Sequence, residues 1–324
     1  MFDTRFGLLI PQRGALFGLG GIRELLELGV TAEQSGILSS VWVGDSLTAQ
    51  PRPDALSLLG ALSAMTERVR LGTSCMASFP LRDPAVTAYQ WATLDHLSGG
   101  RMILGACTGL VGDGVSAREG AHFGVPDRER APRLEENIAL CRELWSGEPI
   151  DFDGRFRGYK DLLIAPTPLQ DPCPILIAAN PWDPRFAERA LRRVATLADG
   201  WMTAGSWPGL FEGLWSRLRE ELTAAGRDPA TFPVVAMHNV NIGDDRAECL
   251  AETSRFIAAH EDEDEVAAPM IESWTAAGPP ARCAADLRAL LDKGATHLIL
   301  RLTSWDQRGQ LRRLTEEVLP TVMS

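Results

Sequence analysis

Leu94-Asp95-His96-Leu97-Ser98-Gly99-Gly100-Arg101-Met102-Ile103-Leu104-Gly105-Ala106-Cys107-Thr108-Gly109 reads as a helix end, a glycine turn, a short strand and a strand end left open by small residues. Glycine enters turn conformations without a Cβ penalty, so Ser98-Gly99-Gly100 stops the helix. Met102 to Leu104 is an apolar run too short to be another helix. Thr108 and Gly109 leave room beyond the strand for something that is not a side chain. In an α/β protein ligands bind there, because the helices that follow the strands direct their positive ends to that side.

Upstream of this stretch, residues 5–10, 37–43 and 69–74 read as strands, with helices over 19–33, 54–66 and 83–97. Asp54 and Asp83 stand at cap positions, and Pro84 suits the first helical position. The strands run apolar instead of alternating, as parallel strands covered by helices do. Downstream, a glycine-rich irregular segment over 110–126 precedes a helix over 129–145. Leu134, Ile138, Cys141 and Trp145 give that helix a buried stripe, core being the default reading of Trp145. An extended excursion over 148–165 turns at Asp153-Gly154. Strands at 174–179, 198–203, 232–240 and 296–302 then alternate with helices at 183–196, 208–225, 244–259 and 282–291, and a segment over 305–319 closes the chain. The acidic run His260-Glu261-Asp262-Glu263-Asp264-Glu265 reads as a solvated, self-repelling loop.

Eight strand candidates, each followed by a helix, in 324 residues predict a closed (β/α)8 TIM barrel. It forms a single domain over 1–324 with insertions after strands 4 and 7, the irregular excursions falling at about 108–126, 148–165 and 260–280. The competitor is an open doubly wound sheet with an extra domain. No Gly-x-Gly-x-x-Gly follows the first strand, which removes the best support for its dinucleotide-binding form.

The chain is 45% hydrophobic and carries a net charge of -11, with a sequence pI near 5.0. Like-charge repulsion disfavours nucleic acid or an anionic membrane as partner, while a single anionic ligand is compatible because local donors hold it. No secretory segment or bilayer-spanning run is present, so the expectation is a cytoplasmic protein without membrane contact. The six cysteines form no close pair and no zinc or redox spacing, and six buried or half-buried free thiols are expected.

In such a barrel the active site lies at the carboxyl ends of the strands. That rule selects the windows 7–11, 45–46, 74–77, 107–109, 178–180, 203–204, 238–241 and 301–303. They are poor in paired carboxylates and hold no histidine pair at metal-ligand spacing, so no metal is expected. Asp45 either accepts a hydrogen bond from a bound heterocycle or caps backbone amides in the loop leading to Leu47, and the two readings stand level. His122 lies on the loop after strand 4, where a lid would form; it is a catalytic candidate, with surface or structural duty the weightier reading. His96 sits at a helix end remote from the mouth. In Ala178-Ala179-Asn180-Pro181-Trp182-Asp183-Pro184, small residues let a ligand approach the backbone and the next helix offers unpaired amides to a phosphate, with Arg185 in reach. An ordinary capped helix explains Asp183 and Pro184 equally well.

Several segments together resemble the bacterial luciferase-like family of flavin- or deazaflavin-dependent oxidoreductases. They are Val41-Trp42-Val43-Gly44-Asp45-Ser46, Thr66-Glu67-Arg68-Val69-Arg70-Leu71-Gly72-Thr73, Thr93-Leu94-Asp95-His96-Leu97-Ser98-Gly99-Gly100-Arg101, Arg133-Leu134-Glu135-Glu136 through Leu144-Trp145, and Ala198-Asp199-Gly200-Trp201. The resemblance implies FMN, or the deazaflavin F420, at the carboxyl end of an eightfold barrel. Ser74 and Cys75 would run beneath the ring, across a non-proline cis peptide, with Thr108 beside them, and the phosphate would lie near Ala178, Ala179, Asn180 and Asp183. Many F420-using relatives have an Asp-His pair where this chain has Asp45-Ser46, which shifts weight toward FMN. The leading expectation is therefore a monooxygenase using reduced FMN and oxygen on a small organic substrate, served by a separate flavin reductase. Asp45 would tune the ring or orient substrate without being the base. The alternatives are F420-dependent hydride transfer and a non-catalytic flavin-binding barrel. The family is often dimeric, so a homodimer is a further expectation.

Overall fold

In the computed structural model, which describes residues 5–110, 114–181 and 183–323, strand and helix alternate as the apolar runs predict. The first four units are β1 (Phe6–Leu9), α1 (Ile22–Gln34), β2 (Ser40–Asp45), α2 (Ala55–Met65), β3 (Arg70–Met76), α3 (Pro84–Ser98) and β4 (Met102–Ala106). Next come α4 (Val115–His122), α5 (Asp127–Leu144), the hairpin β5 (Ile150–Asp153) and β6 (Gly158–Leu162), β7 (Ile175–Ala178) and α6 (Pro184–Leu197). The chain continues through β8 (Gly200–Thr203), α7 (Leu210–Ala224), β9 (Val234–Ile242), α8 (Arg246–Glu261), α9 (Ala268–Ser273), β10 (Thr275–Gly278), α10 (Pro280–Asp292), β11 (His297–Leu302), α11 (Gln307–Arg313) and α12 (Leu319–Met323).

Strands β1, β2, β3, β4, β7, β8, β9 and β11 pair in parallel around a closed ring, with β8 against β9 completing it. This is the expected (β/α)8 TIM barrel. Its start signals are chemical: Asp54 accepts the Ser57 amide at 2.9 Å, and Asp83 accepts those of Ala85 and Val86 at 3.0 and 3.2 Å. Gly99 ends α3 at φ 69° and Gly100 continues at φ 80°, a turn that other residues enter only with strain.

The amino-terminal end of the barrel is fastened by buried charge. Arg101 donates to the carbonyls of Ser63, Thr66, Val69 and Ser98 at 2.5–3.2 Å. Glu33 accepts the amides of Glu67, Arg68 and Val69 at 2.6–3.1 Å. Burial by itself raises the Glu33 carboxyl, but those three amides outweigh it and hold it below its usual value. Inside the ring, Trp42 Nε1 donates to Ser40 Oγ at 2.7 Å, and Ser40 Oγ lies 2.8 Å from His297 Nε2. Above this polar group, Leu9, Trp42, Ile103, Leu176, Met202, Val235 and Ile299 fill the lumen with an apolar layer.

Three stretches differ from the expectation. The segment over 110–126 contains α4, and the excursion over 260–280 contains α9 and β10, which extends the sheet beyond β9. The acidic run is divided. Asp262 to Glu265 are exposed as expected, but His260 and Glu261 lie inside the last turn of α8, His260 buried and Glu261 largely so, because an arginine and a glutamine on the rim meet them. Among the described residues no helix is long and apolar enough to cross a membrane.

Candidate active site at the barrel mouth

The carboxyl ends of the strands form two unlike halves. Over β3, β4 and β7 the residues are small or apolar. Cys75, Ala178 and, across the mouth, Met237 sit half-buried on the apolar layer and make a floor for the site. The Ser74-Cys75 peptide is cis, as the resemblance implies, and the β3–β4 register shifts between Gly72 and Met76. Thr73 bridges the irregularity, its hydroxyl donating to the Gly105 carbonyl at 2.9 Å and accepting the Gly105 amide at 3.0 Å. A hydrogen bond with Cys107, together with burial, pushes the Cys75 thiol well above its usual value, so at neutral pH it is a neutral wall group and not a nucleophile.

Over β9, β11, β1 and β2 the mouth is charged. Arg301, on the inward face of β11 two residues beyond Ile299, donates from Nε to Asn239 Oδ1 at 2.8 Å and lies 3.7 Å from Glu261. Arg52 folds over Gly44, where a Cβ would come within 2.5 Å of its Nη1, and donates to the Gln50 carbonyl and side chain at 3.0 and 2.7 Å. Gln50 in turn donates to Glu261, which also meets His260 Nδ1 at 2.9 Å. Burial opposes charge on Glu261, yet His260, Arg301 and Gln50 outweigh it and hold the carboxyl far below its usual value. Burial lowers His260 to about 4 and Arg301 to about 10.

Asp45 is buried at the end of β2, where its Oδ2 accepts the Ser78 amide at 2.8 Å and its Oδ1 lies 3.5 Å from Arg82. Burial raises its carboxyl, with Ser78 and Arg82 pulling the other way. The amides leading on from Leu47 are capped by a different acid. Glu119 of α4 accepts those of Leu47, Thr48 and Ala49 at 2.7–3.0 Å and the Ser46 hydroxyl at 3.2 Å, while 3.5 Å from Arg130. Thus α4 is fastened across the rim to the loop after β2. His122 is exposed in the last turn of α4, its Nδ1 3.4 Å from Thr48 Oγ1.

Ser74, Cys75, Thr108, Ala178 and Ala179 stand at or just beyond the carboxyl ends of the neighbouring strands β3, β4 and β7; Cys75 and Ala178 pack on the luminal apolar layer, while Ala179 packs in the core outside the ring. Asn180 is exposed beside them, its Oδ1 taking the Thr203 hydroxyl at 2.5 Å and the Ala204 amide at 2.9 Å. Asp183 caps α6, accepting the Arg185 amide at 2.9 Å and pairing with the Arg185 side chain. Trp182 lies outside the described residues. The strand-end windows 238–241 and 301–303 already held Asn239 and Arg301, which continue the inward alternation of Val235-Met237 and His297-Ile299, whereas Arg13, Arg52 and Glu261 lay outside every window and were missed.

The fold defines a (β/α)8-barrel protein, in which the carboxyl ends of the strands form the candidate site. A family model described as luciferase-like monooxygenase matches residues 4–297. The chain is 33% identical to an F420-dependent glucose-6-phosphate dehydrogenase of Kineococcus radiotolerans over 92% of each chain. It is 31% identical to the enzyme of the same name from Amycolatopsis mediterranei, over 93% of this chain and 94% of that one. Among solved structures, an F420-dependent secondary alcohol dehydrogenase superposes with a TM-score of 0.81 at 17% identity, covering 98% of this chain and 99% of that one. The chain therefore belongs to the luciferase-like monooxygenase family, and it is an oxidoreductase.

Proposed function

We propose that the chain is an F420-dependent oxidoreductase that moves a hydride between the deazaflavin and a small alcohol or carbonyl compound. The structural observation that carries this reading is the apolar floor of the mouth, where Cys75 and Ala178 of the small-residue half, with Met237 of β9 across from them, lie over a filled apolar layer and suit a flat tricyclic ring. The choice of deazaflavin rests on relatives above 30% identity over nine-tenths of both chains whose names specify F420. Bound there, the deazaflavin supplies at C5 a two-electron acceptor for hydride.

The chain's own residues bind and orient. Ser74, Cys75 and Thr108 would hold the ring, and Ala178, Ala179, Asn180 and Asp183, beside the start of α6, would hold the phosphate. Asp45 positions the turn after β3 through the Ser78 amide. His122, on a helix that Glu119 fastens to the loop after β2, would help that helix to keep water from the site. This route requires no separate flavin reductase.

The FMN and oxygen reading, which led on sequence alone, keeps one observation. Asp45 is followed by Ser46, whose hydroxyl is engaged by Glu119 and the Gln50 amide. Fluorescence titration of the purified protein separates the two. F420 binding about tenfold or more tighter than FMN supports the proposal. FMN-selective binding with faster oxygen uptake on reduction overturns it.

A further inference from the structure

Three guanidinium groups stand on the charged half of the mouth, and the largely buried Glu261 carboxylate directly meets only that of Arg301. Arg13 is 6% exposed and donates from Nε to the Pro51 carbonyl at 3.3 Å, and Arg301 is 2% exposed, its guanidinium carbon 4.8 Å from the Trp274 ring centroid. Arg52 joins them: Arg13 donates to the carbonyl of the adjacent Pro51, and Gln50, which accepts from Arg52 at 3.0 and 2.7 Å, donates to the Glu261 that lies 3.7 Å from Arg301. Glu261 is shared among Arg301, Gln50 and His260, and Asp45 is paired with Arg82. Burial keeps His260 neutral at pH 7, so it adds no charge of either sign.

The balance is therefore positive, and part of it is unanswered. Arg13 Nη1, Arg301 Nη2 and Asn239 Nδ2 are buried without a hydrogen-bond partner, Asn239 being fully buried. Buried donors on cations are strongly disfavoured unless an anion meets them. Guanidinium groups are shaped for the paired oxygens of a carboxylate or phosphate. The position of this cluster in the ring also matters. In the order β1-β2-β3-β4-β7-β8-β9-β11, β11 stands opposite β4 and β1 opposite β7. The donors thus face the half assigned to the cofactor from across the barrel.

We propose that Arg13, Arg52 and Arg301, with Asn239, form a subsite for an anionic group of the substrate, a carboxylate or a phosphate. The substrate class is then an alcohol or carbonyl compound carrying such a group, a refinement that rests on the small-residue half holding the cofactor. The anionic tail of the cofactor has the same chemistry, so the test separates the two sources.

The full-length protein is titrated with inorganic phosphate at constant ionic strength, by calorimetry and thermal shift, alongside Arg13→Gln and Arg301→Gln. F420 affinity is measured on all three by fluorescence. The expected result is saturable phosphate binding to the wild type, weakened about tenfold or more in either variant, with F420 affinity changed by less than about twofold. Arg13→Gln serves even if Arg301→Gln fails to fold, because Arg13 holds none of the Glu261 contacts described above. Absent phosphate binding, or equal binding by wild type and Arg13→Gln, overturns the subsite. A parallel loss of F420 affinity also overturns it, assigning the arginines to the cofactor tail. Arginine-dependent phosphate binding without any F420 binding upholds the anion subsite and overturns the cofactor reading alone.

Discussion

The two halves of the barrel mouth solve opposite problems with the same strands. Over β3, β4 and β7 the chain withdraws: Cys75, Thr108, Ala178 and Ala179 are small, and the β3 ladder is displaced with Thr73 bridging the gap. Over β9, β11, β1 and β2 it advances, placing Arg13, Arg52 and Arg301 on the rim, with Arg301 held directly by Glu261 from the end of α8, Arg52 joined to that carboxylate through Gln50, and Arg13 held by the Pro51 carbonyl. The first half is specified by what is missing and the second by what must be balanced. Shape should therefore govern the first and stability the second.

The largest expected effect tests the charged half. Glu261→Gln removes the carboxylate shared by Arg301, Gln50 and His260 and should cost about 3–5 kcal/mol in urea unfolding, the range for breaking a buried pair. The same variant carries a pH signature. The folded pKa of Glu261 lies below its ordinary 4.5, so its contribution is complete above pH 4.5 and is lost as pH falls toward the folded value. Wild-type stability should accordingly fall more steeply below pH 4.5 than that of Glu261→Gln. Parallel slopes would show that the carboxylate is not held by the arginines.

Next in size is the test of the small-residue half. Cys75→Trp fills the floor of the site and should weaken cofactor binding about 100-fold, or about 2.7 kcal/mol, while far-UV circular dichroism stays unchanged. Undiminished affinity on titration would remove Cys75 from the cofactor face. Glu119→Gln probes the strap between α4 and the loop after β2. Three amides lose a charged acceptor and Arg130 loses a buried carboxylate, so a loss of about 2 kcal/mol is expected in thermal unfolding. The smallest effect is reserved for His122→Ala. This side chain is exposed, so turnover should stay within about twofold of wild type. A hundredfold fall in kcat with unchanged KM would restore His122 as an acid or base.

The fold was legible because its signals are local. Apolar runs of strand length, Asp54 and Asp83 as caps, and Gly99-Gly100 as a stop each act over a few residues. Several stretches that carried the family resemblance turn out to be fastenings at the amino-terminal end of the barrel. Arg101 gathers the carbonyls of Ser63, Thr66 and Val69, and Asp95 accepts Gln170 Nε2 at 2.7 Å. They identify the fold at positions far from the mouth. The small half of the site was legible for a related reason, since strand-end position and small residue type are both visible along the chain.

The charged half was not legible, because it is assembled by contacts distant in sequence. Gln50 reaches Glu261 across 211 positions, and Glu119 reaches Thr48 across 71. Read along the chain, Glu261 is one acid in a run of five and naturally appears solvated. Only the docking of α8 against β9 and β10 shows that an arginine of β11 meets its last turn. Asp45 gives the converse case: capping was one of two readings that stood level, and the amide it accepts is that of Ser78 after β3 and not one in the loop toward Leu47.

The sequence by itself determined the alternation of strand and helix, the small residues at the ends of β3, β4 and β7, and the family. Each depends on residue type and on spacing within a single element. The tertiary structure alone decided which buried charges share a partner, which amides Glu119 and Asp45 cap, and where donors are left without an acceptor. Those outcomes depend on distance and dielectric between elements brought together by ring closure, and no local pattern encodes them.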